Sequence, residues 1–300
     1  MKKTRILAVI VCMMAAINFA SADTIRGINI DFVTIGNAGN TADTVVMNDG
    51  TTGYGAVSSN YRIGKYEVTN TQWNAFTAAA GAPTGNPSTA YDANAYFTGA
   101  QQPTNMVSWY EAAQFCNYLT SGNKYSGAYK FDISGNFQEI DRVSSISTYG
   151  TTYVIPTENE WYKAAYFKPN GSGYSLYANG TSTAPIDGVN SNYGWAIGYP
   201  GSPWNITNGT QEQNGTFDMM GNVWEWNETL IGSNRGLRGG SYHDYRYAYS
   251  GDLFLRSSSR ISGSYPYSEG YALGFRVASV PEPATIILFS LGLVVLRRKL

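Results

Sequence analysis

Ten residues constrain this chain more than any other stretch: Phe217–Trp226, reading Phe-Asp-Met-Met-Gly-Asn-Val-Trp-Glu-Trp. Two indoles, two thioethers and a phenyl ring this close together belong in a core. Asp218 and Glu225 in the same span must then be paired, solvated or bound to a cation. A strand leading through a Gly-Asn turn into a buried aromatic strand satisfies these demands.

A chain of 300 residues can bury a sizeable core as one large domain or two modest ones. Charged residues are sparse at 14%, and Tyr, Gly, Asn, Ser and Thr are plentiful, which suits a loop-rich extracytoplasmic protein. The net charge of −1 hides a segregation: Lys2, Lys3 and Arg5 open the chain and Arg297, Arg298 and Lys299 close it, opposed there only by Glu282. The middle is therefore acidic at about −6, and nucleic acid is not an expected partner.

The basic start, the apolar run Ile6–Ile17 and the small residues Ala20-Ser21-Ala22 read as a secretory signal over 1–22, the alternative being an N-terminal core helix. With Cys12 inside that segment, the mature chain keeps Cys116 alone, so no internal disulfide or Cys-Cys redox pair is expected. His243 is the one histidine, which excludes a His-rich metal site.

Alternation predicts strands over Ile25–Ile35 and Tyr61–Val68. Three capping boxes, Thr69 to Gln72, Ser108 to Glu111 and Thr157 to Glu160, each predict a short helix: one carrying Trp73 and Phe76, one over Trp109–Leu119, one over Trp161–Phe167. Cys116 falls on the apolar face of the second, as a small core residue. Ser121–Tyr149 reads as a partly β excursion, and Tyr153–Pro156 as a short strand. Asn170–Thr216 is loop by composition, and a loop this long is expected to be functional or held by something such as an ion. Gly236–Tyr242, Leu253–Arg256 and Leu273–Ala278 read as closing strands.

The segment 280–300 is a module of its own: Val280-Pro-Glu-Pro283, the apolar run Ala284–Leu296, then Arg-Arg-Lys. This mostly apolar run of thirteen residues falls short of the roughly 20 that span a bilayer comfortably. The arrangement resembles the PEP-CTERM sorting tail of Gram-negative bacteria. That resemblance implies an exosortase-type processing enzyme as partner and transient membrane anchoring, with release to the cell surface or extracellular matrix.

Six motifs then occur in order: Lys65-Tyr-Glu-Val-Thr-Asn70, Pro103-Thr-Asn-Met-Val-Ser-Trp109, Ile155-Pro-Thr-Glu-Asn-Glu-Trp161, Gly221-Asn-Val-Trp-Glu-Trp226, Leu237-Arg-Gly-Gly-Ser-Tyr242 and Leu273-Gly-Phe-Arg-Val277. Together they resemble the sulfatase-modifying-factor family, which contains the formylglycine-generating enzymes. The resemblance covers residues 23–279 as one domain and implies an α+β, C-type-lectin-like fold with little regular secondary structure.

The family's oxidase chemistry uses two thiolates just after Gly-Gly-Ser to hold Cu(I), a soft ion that prefers sulfur. Counted from Gly239-Gly240-Ser241, those positions here are Asp244 and Tyr249, so no copper is expected. The iron-dependent sulfoxide synthases of the family need three histidines, which this chain lacks. The resemblance also implies Ca²⁺ at Asp218, the Gly221 and Val223 carbonyls and Glu225, oxygen donors of the kind calcium takes. A second calcium would use Asn192 and the Tyr193 carbonyl. Without metal, Asp218 and Glu225 would instead pair with Arg238 or Arg276; Arg256 and Arg276 are themselves expected to be buried pairing residues. Tyr242, His243, Tyr245 and Tyr247 form a candidate ligand surface of the kind that takes glycans or peptides, or else the wet face of a β ribbon.

The expected protein is thus exported and non-catalytic, with a binding or structural role at the cell envelope or exopolysaccharide matrix and an exopolysaccharide or surface protein as partner. The competing expectations are an enzyme, oxidase-like or otherwise, using the same cleft, and a periplasmic helper that matures a partner protein.

Overall fold

The computed structural model describes residues 21–194, 201–244 and 251–280. Residues 1–20 of the signal expected over 1–22, the tail beyond Val280 and the positions Tyr245, Tyr247 and Tyr249 lie outside them. The chain folds around a five-stranded antiparallel sheet ordered β1-β2-β3-β10-β6, from Ser21–Ile25, Ile28–Ile35, Tyr61–Gly64, Ala278–Val280 and Thr152–Val154. Strand β10 comes last in the domain yet lies between β3 and β6, which ties the C-terminal end of the fold to its beginning. A second sheet, β8-β7-β9, is built from Asn234–Arg238, Trp224–Ile231 and Leu273–Gly274, and a β4–β5 hairpin from Tyr129–Phe131 and Phe137–Ile140.

Helices α1 (Asn70–Ala80), α2 (Trp109–Ser121) and α4 (Glu158–Tyr166) each start at a complete capping box. In α2 the Ser108 hydroxyl accepts from the Glu111 amide at 3.2 Å, while Glu111 Oε2 accepts from the Ser108 amide at 2.9 Å. Two helix-end donors are satisfied at once, and such a cap contributes about 1 kcal/mol. Between α1 and α2 the core is aromatic: Phe76 meets Phe115 edge-on at 5.3 Å and Trp73 lies parallel to Phe115 at 5.9 Å. Cys116 is fully buried there, as expected, and burial pushes its thiol well above the usual range.

Four expectations need correction. Ile25–Ile35 is a hairpin, because Arg26 (φ 51°) and Gly27 (φ 83°) both take the left-handed region and reverse the chain between β1 and β2. The strand expected to reach Val68 stops at Gly64, although the Lys65 amide still donates to the Asp31 carbonyl of β2 at 2.7 Å. The partly β excursion expected over Ser121–Tyr149 is the β4–β5 hairpin followed by helix α3 (Arg142–Tyr149), opened by Asp141 accepting from the Ser144 amide at 2.9 Å. Leu253–Arg256 is not a strand: Gly251–Leu255 forms a 3₁₀ turn in which Asp252 and Arg256 pair at 2.7 Å.

Candidate functional site

The knot begins irregular and ends as strand β7. Asp218 (φ 58°), Gly221 (φ 89°) and Asn222 (φ 60°) are left-handed, so the expected first strand is replaced by a tight coil. Gly221 can be nothing larger, because a Cβ there would collide with the Asn192 carbonyl. That approach lets the Asn222 amide donate to the Asn192 oxygen at 2.7 Å, and Ser191 bonds the Met220 carbonyl. The long loop is therefore held by the knot's backbone. Trp204 adds a second tie, its indole donating to Asp218 Oδ1 at 2.9 Å.

Around this coil four carboxylates are buried together: Glu67, Glu212, Asp218 and Glu225. One guanidinium serves them. Arg276 grips Glu225 with two prongs, at 2.6 Å to Oε2 and 2.5 Å to Oε1, and the Trp161 indole adds a 2.7 Å bond to Oε2. Glu67 accepts from Asn222 Nδ2 at 2.5 Å and the Val223 amide at 3.1 Å; Glu212 accepts from Thr216 at 2.9 Å and the Met219 amide at 3.2 Å. Burial pushes the Glu67 carboxyl well above its usual range, reinforced by the charges of Asp218 and Glu225. Burial does the same to Asp218 and lifts Glu212 to about 7. Negative charge exceeds positive in this space, which favours either proton uptake or a cation.

Two buried acceptors here have no hydrogen-bond partner, Asp218 Oδ2 and Asn192 Oδ1, on residues 5% and 0% exposed. These orphaned oxygens fit a hard cation. Glu225 does not fit that role, since Arg276 and Trp161 engage both of its oxygens. The ligand set implied by the resemblance is thus divided: Asp218 and Asn192 keep free acceptors, while Glu225 takes the metal-free arrangement with Arg276. Among the described residues no three His, Cys, Asp or Glu side chains are placed to hold a metal, so carbonyls such as those of Tyr193, Gly221 and Val223 would supply most of a calcium shell. Arg238 is absorbed by Glu158, at 2.7 and 3.0 Å, and so is not a partner of the knot. Arg256 pairs with Asp252 with a side chain 36% exposed, so burial holds for Arg276 and not for it.

At the first of the two positions implied for copper, Asp244 is 7% exposed and fully engaged. Its Oδ1 accepts from the Trp224 indole at 3.1 Å and its Oδ2 from the Ser241 amide. Burial lifts its carboxyl to about 6. Asp244 thereby locks the Gly239-Gly240-Ser241 turn. Beside it Tyr242 is buried, its edge against Phe97 at 5.5 Å, and His243 meets Tyr271 at 5.2 Å.

Sequence reading missed Glu67, which reaches the knot from a distant part of the chain, and Glu212, five residues upstream of Phe217. The available signal was Glu67 itself, a carboxylate between Tyr66 and Val68 in an otherwise alternating stretch. It also missed a second acidic group: Glu111 and Glu269 are close enough to perturb each other and are raised chiefly by burial, to about 9 and about 7.

Comparison with known proteins agrees with this architecture. The Sulfatase-modifying factor enzyme 1-like domain matches residues 33–280, and the PEP-CTERM protein-sorting motif matches residues 279–299. The chain is 28% identical over 211 residues to the chaperone protein LppX of Paenibacillus barcinonensis, covering 61% of this chain and 70% of that protein. Among solved structures it resembles Treponema denticola variable protein 1, with TM-score 0.57, 22% identity and coverage of 88% of this chain and 99% of the other. PvdO from Pseudomonas aeruginosa gives TM-score 0.58 at 17% identity, covering 84% and 94%. CarF gives 0.54 at 21%, covering 85% and 99%. At these identities the structural likeness speaks to the fold alone, which is C-type-lectin-like. The sorting motif implies export, handling by an exosortase-type system and anchoring of the C-terminus in a membrane, although no helix among the described residues is long and apolar enough to cross one. From its six ordered motifs, its fold and the match over 33–280, the chain belongs to the sulfatase-modifying-factor family.

Proposed function

We propose that this protein is a non-catalytic member of its family that serves as a binding or structural protein at the cell envelope or in the exopolysaccharide matrix. The observation that carries the reading is Asp244. Where the oxidases of the family are expected to place a thiolate, this chain has a carboxylate held by Trp224 and the Ser241 amide. A hard oxygen already spent on two donors is a poor ligand for Cu(I). The candidate ligand surface beside that turn would rest on half-buried His243, since Tyr242 is buried beneath it; Tyr245 and Tyr247 follow in sequence. Calcium belongs to the same proposal as a structural ion held by Asp218 and by Asn192 of the long loop.

The test is an anaerobic Cu(I) titration followed by a cysteine-peptide oxidation assay on the purified chain. No copper binding above background and no formylglycine is the expected result; tight binding with oxidation of the peptide overturns the proposal in favour of the enzyme. The name of the Paenibacillus relative, a chaperone, favours one other reading, a helper for a partner protein. Specific recovery of one client by pull-down from the periplasm would support it.

A further inference from the structure

Five aromatic rings close a circuit beside the Gly239–Ser241 turn. Centroids are separated by 4.9 Å from Tyr96 to Phe97, 5.5 Å to Tyr242, 5.9 Å to His243, 5.2 Å to Tyr271 and 6.3 Å back to Tyr96. Consecutive planes are inclined by 52° to 87°, so no ring in the circuit is stacked face to face on the next. Exposure is graded: Tyr242 is 1% exposed, Phe97 and His243 are half-buried, and Tyr271 and Tyr96 stand 44% and 72% exposed. Tyr96 and Tyr271 form the exposed rim of this aromatic cup and Tyr242 its buried base, so a ligand would enter between the two rim tyrosines.

Three segments build it, 91–97, 239–244 and 264–273, and they carry Asp92, Asp244 and Glu269 with no Lys or Arg. The first and third are tied together, directly and through Asn105 and Met106. The Ala93 amide donates to Glu269 Oε2 at 3.2 Å, Asn105 Oδ1 accepts from the Tyr96 and Phe97 amides at 2.8 and 3.1 Å, and the Met106 amide donates to the Gly270 carbonyl at 2.9 Å. Glu269 Oε1 is buried without a hydrogen-bond partner behind the rim.

Aromatic faces carry the negative part of the ring quadrupole and attract a cation within about 6 Å of the centroid. Consecutive centroids 4.9 to 6.3 Å apart would put the middle of the circuit about 5 Å from each ring were the five centroids coplanar, and nearer the reach limit as the circuit deepens. Asp92 and Asp244 near the cup, with no Lys or Arg in these three segments, reinforce the same sign. We propose that the cup of Tyr96, Phe97, Tyr242, His243 and Tyr271 binds an alkylammonium group. This rests on the binding role proposed above and names the ligand class. A neutral group would gain only stacking, and an anion would meet like charge.

A quaternary headgroup and the free amine of an amino sugar offer this chemistry equally, so both are tried on the full chain by titration calorimetry. Choline is paired with its neutral isostere 3,3-dimethylbutan-1-ol, and D-glucosamine with N-acetyl-D-glucosamine. The expected result is saturable binding of at least one cation, at least about tenfold tighter than its neutral partner, the tighter cation naming the source. Tyr96→Ala and Tyr271→Ala, at exposed rim positions, should each weaken it at least about fivefold with an unchanged melting temperature. Less than a tenfold preference for both cations, no saturation by either, or full affinity in both rim variants overturns the proposal. Such a failure leaves the copper and peptide-oxidation result untouched, so the two readings fall separately.

Discussion

Glu225 and Arg276 meet in a two-pronged ion pair whose side chains are both 0% exposed. Removing one partner strands a charge in the core, whereas removing both leaves an apolar void that can repack. Arg276→Met is therefore expected to cost about 3–5 kcal/mol, and Glu225→Leu a comparable amount. The double variant should be less damaged than the sum of the two singles. Urea unfolding of the four proteins checks this; simple additivity would show that the pair does not act as a unit.

Stability should fall as pH rises from about 5 to 8. Burial raises the Glu212 and Asp244 carboxyls to about 7 and about 6, and pushes those of Asp218 and Glu67 well above the usual range. A carboxyl raised on folding holds its proton longer than in the unfolded chain. Its contribution is complete below the unfolded value and is lost as pH rises through the folded one. The decline should be on the order of 1–3 kcal/mol. Glu160, lowered mainly by the Arg142 charge against the cost of its burial, opposes the trend at lower pH. Glu212→Gln should flatten the part of the profile approaching pH 7, and Asp244→Asn the part approaching pH 6, in thermal melts across the range. A profile that rises steadily to pH 8 would sink the argument.

The capping boxes at Thr69, Ser108 and Thr157 were legible to the residue because each is a reciprocal bond between neighbours three positions apart. Helix α3 was not, since Arg-Val-Ser-Ser-Ile-Ser-Thr-Tyr has one fully buried residue and no apolar stripe to announce it. The strand expected at Leu253–Arg256 failed because an i, i+4 ion pair and tertiary contacts to Tyr177 override a four-residue apolar pattern. At the knot, the aromatic core and the pairing of Glu225 with Arg276 could be anticipated from residue type. The company of Glu67, 155 residues from Asn222, could not, because sequence distance says nothing of which buried acids will share one cavity.

Calcium, if held at Asp218 and Asn192, should reverse the pH trend near neutrality. The ion replaces the protons that burial otherwise demands, so adding Ca²⁺ at pH 7.5 should raise the melting temperature, by roughly 5–10 °C at a hundredfold excess over Kd. At pH 5 the increment should shrink as proton and cation compete for the same oxygens. Asp218→Ala should abolish the calcium effect at both pH values. A melting temperature indifferent to chelator at pH 7.5, in a protein that keeps Asp218, would leave proton uptake as the sole answer to the buried charge.

The proposed loss of a copper ligand at Asp244 can be tested by reversing it. Its carboxylate stabilises the Gly-Gly-Ser turn through Trp224 and the Ser241 amide, so Asp244→Ala should cost about 1–3 kcal/mol and loosen that turn. Asp244→Cys combined with Tyr249→Cys restores soft donors to both positions at the cost of that brace. If the missing thiolates are what distinguishes this chain, the double variant should bind Cu(I) at least about a hundredfold tighter than the parent, with charge-transfer absorption from the new thiolates. Competition with a chromophoric Cu(I) chelator measures it. Equal, tight binding by the parent would show that copper is held elsewhere, and the non-catalytic reading would lose its main support.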